Sequence, residues 1–147
     1  MQLEAKSAIV TGGAGGLGAA TVRHLHELGV SVVVFDQATD RAEALAEELG
    51  SGVAGVGGDI NDDSAVTEAI AAAQSMGTLA FLVNVAGGAA GAGRLVGRGG
   101  VPHDKQSFID TMAMNAFGTF NVTRLVAAAM SVNEPNEDGQ RGVVVNT

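Results

Sequence analysis

Residues 11–18 read Thr-Gly-Gly-Ala-Gly-Gly-Leu-Gly. Gly13, Gly15 and Gly18 match the spacing G-x-G-x-x-G, which can hold a diphosphate. Glycine permits positive φ and close approach of the backbone, and a helix N-terminus just beyond offers unpaired N–H groups and a partial positive charge. In a chain with 22 glycines the spacing alone is weak. Its place between an apolar run and a helical pattern is what gives it weight. A second chemical group follows at Asp36, eighteen residues past Gly18. In dinucleotide folds a carboxylate about 20 residues on accepts hydrogen bonds from the adenosine ribose hydroxyls. It also repels a 2′-phosphate, and Gln37, Ala38 and Thr39 supply no base to offset that. The expectation is NAD rather than NADP.

Other chemistry is excluded by composition. The 147 residues contain no cysteine, tyrosine or tryptophan. Disulfides, thiolate catalysis and a phenolic acid are therefore outside this sequence. His24, His26 and His103 show no metal-ligand spacing with nearby carboxylates, so no metal site is expected. His24 and His26, two apart on a helix, read as surface residues, and His103 as a loop residue. The formal net charge is -8, from 8 basic and 16 acidic residues, which argues against nucleic acid or an anionic membrane as the main partner. No apolar run approaches the ~20 residues of a membrane span. The stretch MQLEAKSAIV does not read as a secretory leader. The default expectation is a cytoplasmic protein.

These groups need elements to position them, and the pattern supplies alternating strands and helices. Short apolar or β-branched runs at 7–11, Ser31–Asp36, 53–56, 79–84 and 143–145 read as strands. Helical spacing covers 17–28, 40–49, a segment from Asp62 or Asp63 to 76, and a long stretch from Ser107 to near Met130. Asp40 with Glu43 resembles a capping box. Gly87 to Gly100 holds seven glycines and reads as a structureless loop, or as a mobile lip over a ligand site. Strand-helix alternation implies a parallel sheet covered on both faces. The expected fold is α/β, a doubly wound parallel sheet of the Rossmann type in one domain spanning 1–147. It has five strands where the dinucleotide fold has six, and so is incomplete on its C-terminal side. The long helix is apolar on more than one face, through Ile109, Met112, Ala113, Ala116, Phe117 and Phe120 and again through Met114, Val122 and Leu125. Such a helix wants a second partner, here a second copy of the chain.

Taken together, these residues resemble the short-chain dehydrogenase/reductase family. Its T-G-x-x-x-G-x-G pattern is matched by Thr11, Gly12, Gly16 and Gly18. Its acidic residue after the third strand is matched by Asp59, followed by Ile60. Its N-N-A-G turn appears as Asn84-Val85-Ala86-Gly87, with valine replacing the second asparagine. Its helix asparagine is matched by Asn115. FGTFNVTRLV, the segment NEPNEDGQRGVVVNT and the long loop before Ser107 resemble the type 2 3-hydroxyacyl-CoA dehydrogenase branch, which also includes hydroxysteroid oxidisers.

The resemblance implies an NAD-dependent oxidoreductase acting on a secondary alcohol, most specifically oxidising a 3-hydroxyacyl-CoA to the 3-oxoacyl-CoA. It implies that Gly12, Gly15, Gly16, Leu17 and Gly18 position the pyrophosphate and adjoining ribose. Asp36 would select the ribose, Asp59 and Ile60 flank the adenine, and Val85, Ala86 and Gly87 after Asn84 carry the middle of the cofactor. Thr147 would approach the nicotinamide side, and Asn115 would support the catalytic water and lysine. A homotetramer and a role in fatty acid metabolism are implied as well.

Family catalysis also needs a serine after the fifth strand and a tyrosine four residues before a lysine. There is no tyrosine, and the only lysines are Lys6 and Lys105. The expectation is that the chain is the N-terminal part of a longer single-domain dehydrogenase. Two alternatives stay open: a non-catalytic NAD-binding module, and an NADP-dependent 3-oxoacyl carrier-protein reductase.

Overall fold

A computed structural model describes Leu3, residues 5–91 and residues 93–147. Met1, Gln2 and Glu4, within the stretch read for a leader, and Ala92, within the glycine-rich loop, lie outside the described residues. Among the described residues five strands form one parallel sheet: β1 (Lys6–Thr11), β2 (Ser31–Asp36), β3 (Val53–Gly57), β4 (Thr78–Asn84) and β5 (Val143–Asn146). Their order is β3-β2-β1-β4-β5. Among the described residues there are five α-helices, α1 (Gly16–Glu27), α2 (Thr39–Leu49), α3 (Asp63–Met76), α4 (Lys105–Met112) and α5 (Gly118–Met130), of which α1, α2, α3 and α5 pack on the sheet and α4 buries no residue. This is the doubly wound architecture that the alternating pattern implies.

Both faces are covered at the centre of the sheet because successive strand residues point opposite ways and both sets are apolar, whereas β5 at the edge leaves Val143 and Val145 exposed. Ile9, Val33, Phe35 and Leu82 pack beneath α3 and α5 with Val66, Ala69, Val122 and Val126. Ala8, Val10, Val32 and Val34 pack on the other face with Val22 from α1 and Ala42 and Leu45 from α2. After β1 the chain winds towards β2 and β3; after β3 it crosses back through α3 to β4, on the far side of β1. The winding reverses between β1 and β4, which opens a crevice at their carboxyl ends, where open α/β sheets bind ligands.

Several local expectations are corrected. No side chain caps α2, so the Asp40–Glu43 box does not form. Asp36 takes over part of that task, its Oδ1 accepting the N–H of Ala38 at 3.0 Å just before the helix. α3 does begin as read, with Asp62 accepting from the N–H of Ser64. The long helix is neither continuous nor opened by Ser107. It begins at Lys105 behind the cap Asp104, which accepts the Ser107 N–H at 2.8 Å. A π-helical turn at Ala113–Phe117 then separates α4 from α5. The glycine-rich loop is not structureless. Val96 and Pro102 form an antiparallel bridge, Gly97 donates to the Val101 carbonyl at 2.7 Å, and Arg98–Gly100 makes a 3-10 turn.

Candidate nucleotide site

A cavity of about 490 Å³ occupies the crevice above β1 and β4, within the ~300–1,000 Å³ typical of small-molecule sites. Its floor is the turn from β1 into α1. Gly12 has φ +62, and a Cβ there would lie 2.9 Å from the backbone of Ala86, so glycine lets this turn press against the segment after β4. A Cβ on Gly18 would sit 2.0 Å from the Gly12 carbonyl oxygen, which fixes how closely the helix meets the turn. At Gly16 the reverse holds: a Cβ would meet nothing within 4 Å. Gly15 precedes α1 with no side-chain cap. The first-turn N–H groups of α1 are thus left for a ligand, in a cradle open above Gly16. That geometry fits a diphosphate.

Thr11 joins the two sides of the crevice. Its hydroxyl oxygen accepts the N–H groups of Val85 and Ala86, each at 3.1 Å. Val85, Ala86 and Gly87 form one wall, with Met114 from the π-turn beside them. The opposite end is formed by Asp36, Gln37 and Arg41. Asp36 Oδ2 accepts the N–H of Ala14 at 3.0 Å, so the carboxylate that faces the cavity also holds the glycine turn. Ile60 closes the same end with Phe35 and Gly58. It is held by α5: Asn121 Nδ2 donates to its carbonyl at 3.0 Å, and Gly118 leaves room for its side chain, which a Cβ there would meet at 2.4 Å.

The crevice therefore gathers Gly12, Gly15, Gly16, Leu17 and Gly18, then Asp36 and Ile60, then Val85, Ala86 and Gly87. Four other residues singled out from the sequence lie outside its lining. Asp59 accepts at its Oδ1 from the backbone and side chain of Asn61 at 2.9 and 3.2 Å. Asn84 is buried and ties strands together: its Nδ2 donates to Asn146 Oδ1 at 2.8 Å and to Thr123 Oγ1 at 3.1 Å. Thr147 donates through its hydroxyl and its N–H to the Asn84 carbonyl, both at 3.1 Å. Asn115 stands behind the wall, pairing with both the N–H and the carbonyl of Gly88 at 3.1 and 2.7 Å.

Arg41 and Met114 were not singled out. Arg41 Nη2 donates to the Ala14 carbonyl at 2.6 Å. The signal for it was a basic residue in the first turn of α2, which the loop connecting β2 to α2 folds back towards the glycine turn. Met114 was assigned to a helix face, and the π-turn that presents it to the crevice has no marker in the residue pattern. Among the described residues no group of three or more His, Asp or Glu is placed to hold a metal, and no helix is long and apolar enough to cross a membrane.

Comparison with known proteins agrees with this fold. The chain is 41% identical over 140 residues to 3-hydroxyacyl-CoA dehydrogenase type-2 of Drosophila melanogaster, covering 95% of this chain and 55% of that protein. Against the Homo sapiens protein of the same name it is 39% identical over 141 residues, covering 95% and 54%. The crystal structure of 3-hydroxyacyl-CoA dehydrogenase type-2 from Mycobacterium avium superposes with a TM-score of 0.95 at 46% identity, covering 99% of this chain and 56% of that one. The chain spans about half the length of these relatives. Residues 6–147 match the family model for short chain dehydrogenases, and by that match and the crevice it accompanies the chain belongs to the short-chain dehydrogenase family.

Proposed function

We propose that the chain binds NAD in the crevice and serves an NAD-dependent dehydrogenase that interconverts a secondary alcohol and a ketone, the substrate being a 3-hydroxyacyl-CoA. The observation that carries the reading is the open cradle above Gly16 at the head of an uncapped helix, with the Asp36 carboxylate at the far end of the same cavity. The names of the relatives support the substrate class.

NAD, when bound, supplies the hydride acceptor. In this reading the N–H groups heading α1 orient the diphosphate, with a dipole contribution of ~0.3–1 kcal/mol that grows with burial. Asp36 accepts from the ribose hydroxyls and disfavours a 2′-phosphate. Ile60 packs against the adenine, with Asp59 shaping the turn beside it. Val85, Ala86 and Gly87, anchored at Asn84, back the middle of the dinucleotide, and Thr147 approaches its nicotinamide side. Asn115 is the only residue matched to the family's catalytic set. The phenolic base of the family pattern has no match among these 147 residues, which hold no tyrosine. The same proposal treats residues 1–147 as the nucleotide-binding part of one dehydrogenase domain. The assembly proposed is a homotetramer, as the family resemblance implies, in the cytoplasm and in fatty acid metabolism. Titration of the chain with NAD and NADP tests the reading. Tighter NAD binding supports it, and tighter NADP binding favours the 3-oxoacyl carrier-protein reductase.

A further inference from the structure

We infer that Thr111 is a positioning residue for the nucleotide cleft, clasping through Ala90 the outer end of the wall formed by residues 85–87. The inference rests on the reading that this cleft takes NAD. The wall is fastened at its inner end by Thr11, whose hydroxyl oxygen takes the N–H groups of Val85 and Ala86. Beyond Gly87 the chain leaves the sheet, and α4 with the adjoining π-turn takes over. Ser107, Thr111 and Asn115 recur every four residues, the spacing that puts side chains on one helical face. Segment 87–91 lies along that face.

Asn115 grips Gly88 by both its N–H and its carbonyl. One turn away, the Thr111 hydroxyl oxygen accepts the Ala90 N–H at 3.2 Å. The same hydroxyl donates to the Ser107 carbonyl at 2.8 Å. Its proton is committed to the helix, so an oxygen lone pair is left for Ala90. The approach is close at both ends. A Cβ on Gly87 would lie 2.7 Å from Asn115 Oδ1, and one on Gly91 would lie 2.8 Å from Ser107 Oγ. Thr111 does not line the cavity. It acts on a bound nucleotide only through the wall, and on the half of the ligand furthest from Asp36.

The test compares Thr111→Val, which keeps the shape and removes the acceptor, with Thr111→Ser, which keeps the acceptor, in the 147-residue chain. NADH and ADP-ribose are titrated against each, and amide exchange at Gly88 and Ala90 is followed without nucleotide. The expected result is NADH binding weakened roughly 3- to 10-fold in Thr111→Val, the range for one lost hydrogen bond. ADP-ribose binding should change by less than about twofold, Ala90 exchange should quicken, and Thr111→Ser should restore both NADH binding and Ala90 exchange. Equal losses for both ligands, or unchanged NADH binding, would overturn the inference. If the wild-type chain binds neither ligand, the NAD reading fails by itself. The clasp is then judged by exchange alone: unchanged Ala90 exchange in Thr111→Val overturns it, and faster exchange rescued by serine upholds it.

Discussion

Asp36 and Arg41 hold opposite ends of one residue of the glycine turn. The Asp36 carboxylate accepts the Ala14 N–H at 3.0 Å, and the Arg41 guanidinium donates to the Ala14 carbonyl at 2.6 Å. Both side chains border the same cavity. The group proposed to vet the ribose is thus also a fastening of the loop proposed to hold the diphosphate, and the two ends of the site are mechanically linked.

Replacing Asp36 separates those two tasks. Asp36→Ala removes a charged acceptor worth about 1.5–3 kcal/mol to a neutral donor. NAD should weaken roughly tenfold or more, and NADP much less, because the lost carboxylate also repelled its 2′-phosphate. Calorimetric titration with both nucleotides measures this. Equal weakening would mean that Asp36 serves only the turn.

Two glycines two residues apart should respond in opposite ways. Gly18→Ala forces a methyl to within 2.0 Å of the Gly12 carbonyl. Relief requires moving backbone, so stability should fall by about 1–3 kcal/mol. Gly16→Ala meets no atom within 4 Å and should leave stability unchanged or raise it by about 0.4–1 kcal/mol. Its methyl nonetheless projects into the cradle, so nucleotide binding should drop. Thermal melts paired with titrations check both. A Gly16→Ala protein that binds nucleotide like wild type would move the diphosphate off this turn.

The run from Thr11 to Gly18 and the acid closing β2 were legible because each is a local rule: a turn that only glycine can make, and a strand end at a known remove. The parallel sheet followed from strand-helix alternation in the same way, whereas its strand order did not, because doubly wound sheets of different order share that alternation. The π-turn was not legible. It inserts one residue into a helical repeat whose apolar residues already occupy several faces, so the slip at Ala113–Phe117 leaves no gap in the pattern. Arg41 was hidden because its partner, the Ala14 carbonyl, is 27 residues away and is backbone, with no residue type to mark it. Asp59 shows the converse: it matches a family motif by spacing, yet its Oδ1 accepts from the backbone and side chain of Asn61 and it does not line the crevice.

Acid should loosen the molecule at two named carboxylates. The Arg124 guanidinium beside Asp63 holds that carboxyl below its usual range, and the Ser107 N–H and hydroxyl do the same for Asp104. A depressed folded-state pKa contributes stability above the unfolded value of about 4, and that stability is lost as pH falls through the folded value. Melting temperature should therefore hold from neutrality to about pH 5 and decline below about pH 4. The double variant Asp63→Asn with Asp104→Asn should decline less steeply; an identical acid slope would remove both groups from the explanation.

Self-association should depend on the outer face of α5 and the π-turn. Phe117 and Phe120 are 62% and 67% exposed, and exposed aromatic clusters of this kind mark protein contacts. Phe120→Glu should shift sedimentation equilibrium towards the mass of one chain without lowering the melting temperature. Unchanged association would place the contact elsewhere.

The central claim is that a dinucleotide diphosphate docks on the turn between β1 and α1. Amide exchange across residues 12–18, measured with and without saturating NAD in the 147-residue chain, tests it most directly. The account predicts slowed exchange at Gly16, Leu17 and Gly18, lost in Gly16→Ala. Saturable NAD binding that leaves those amides unprotected, or no binding at all, would contradict it.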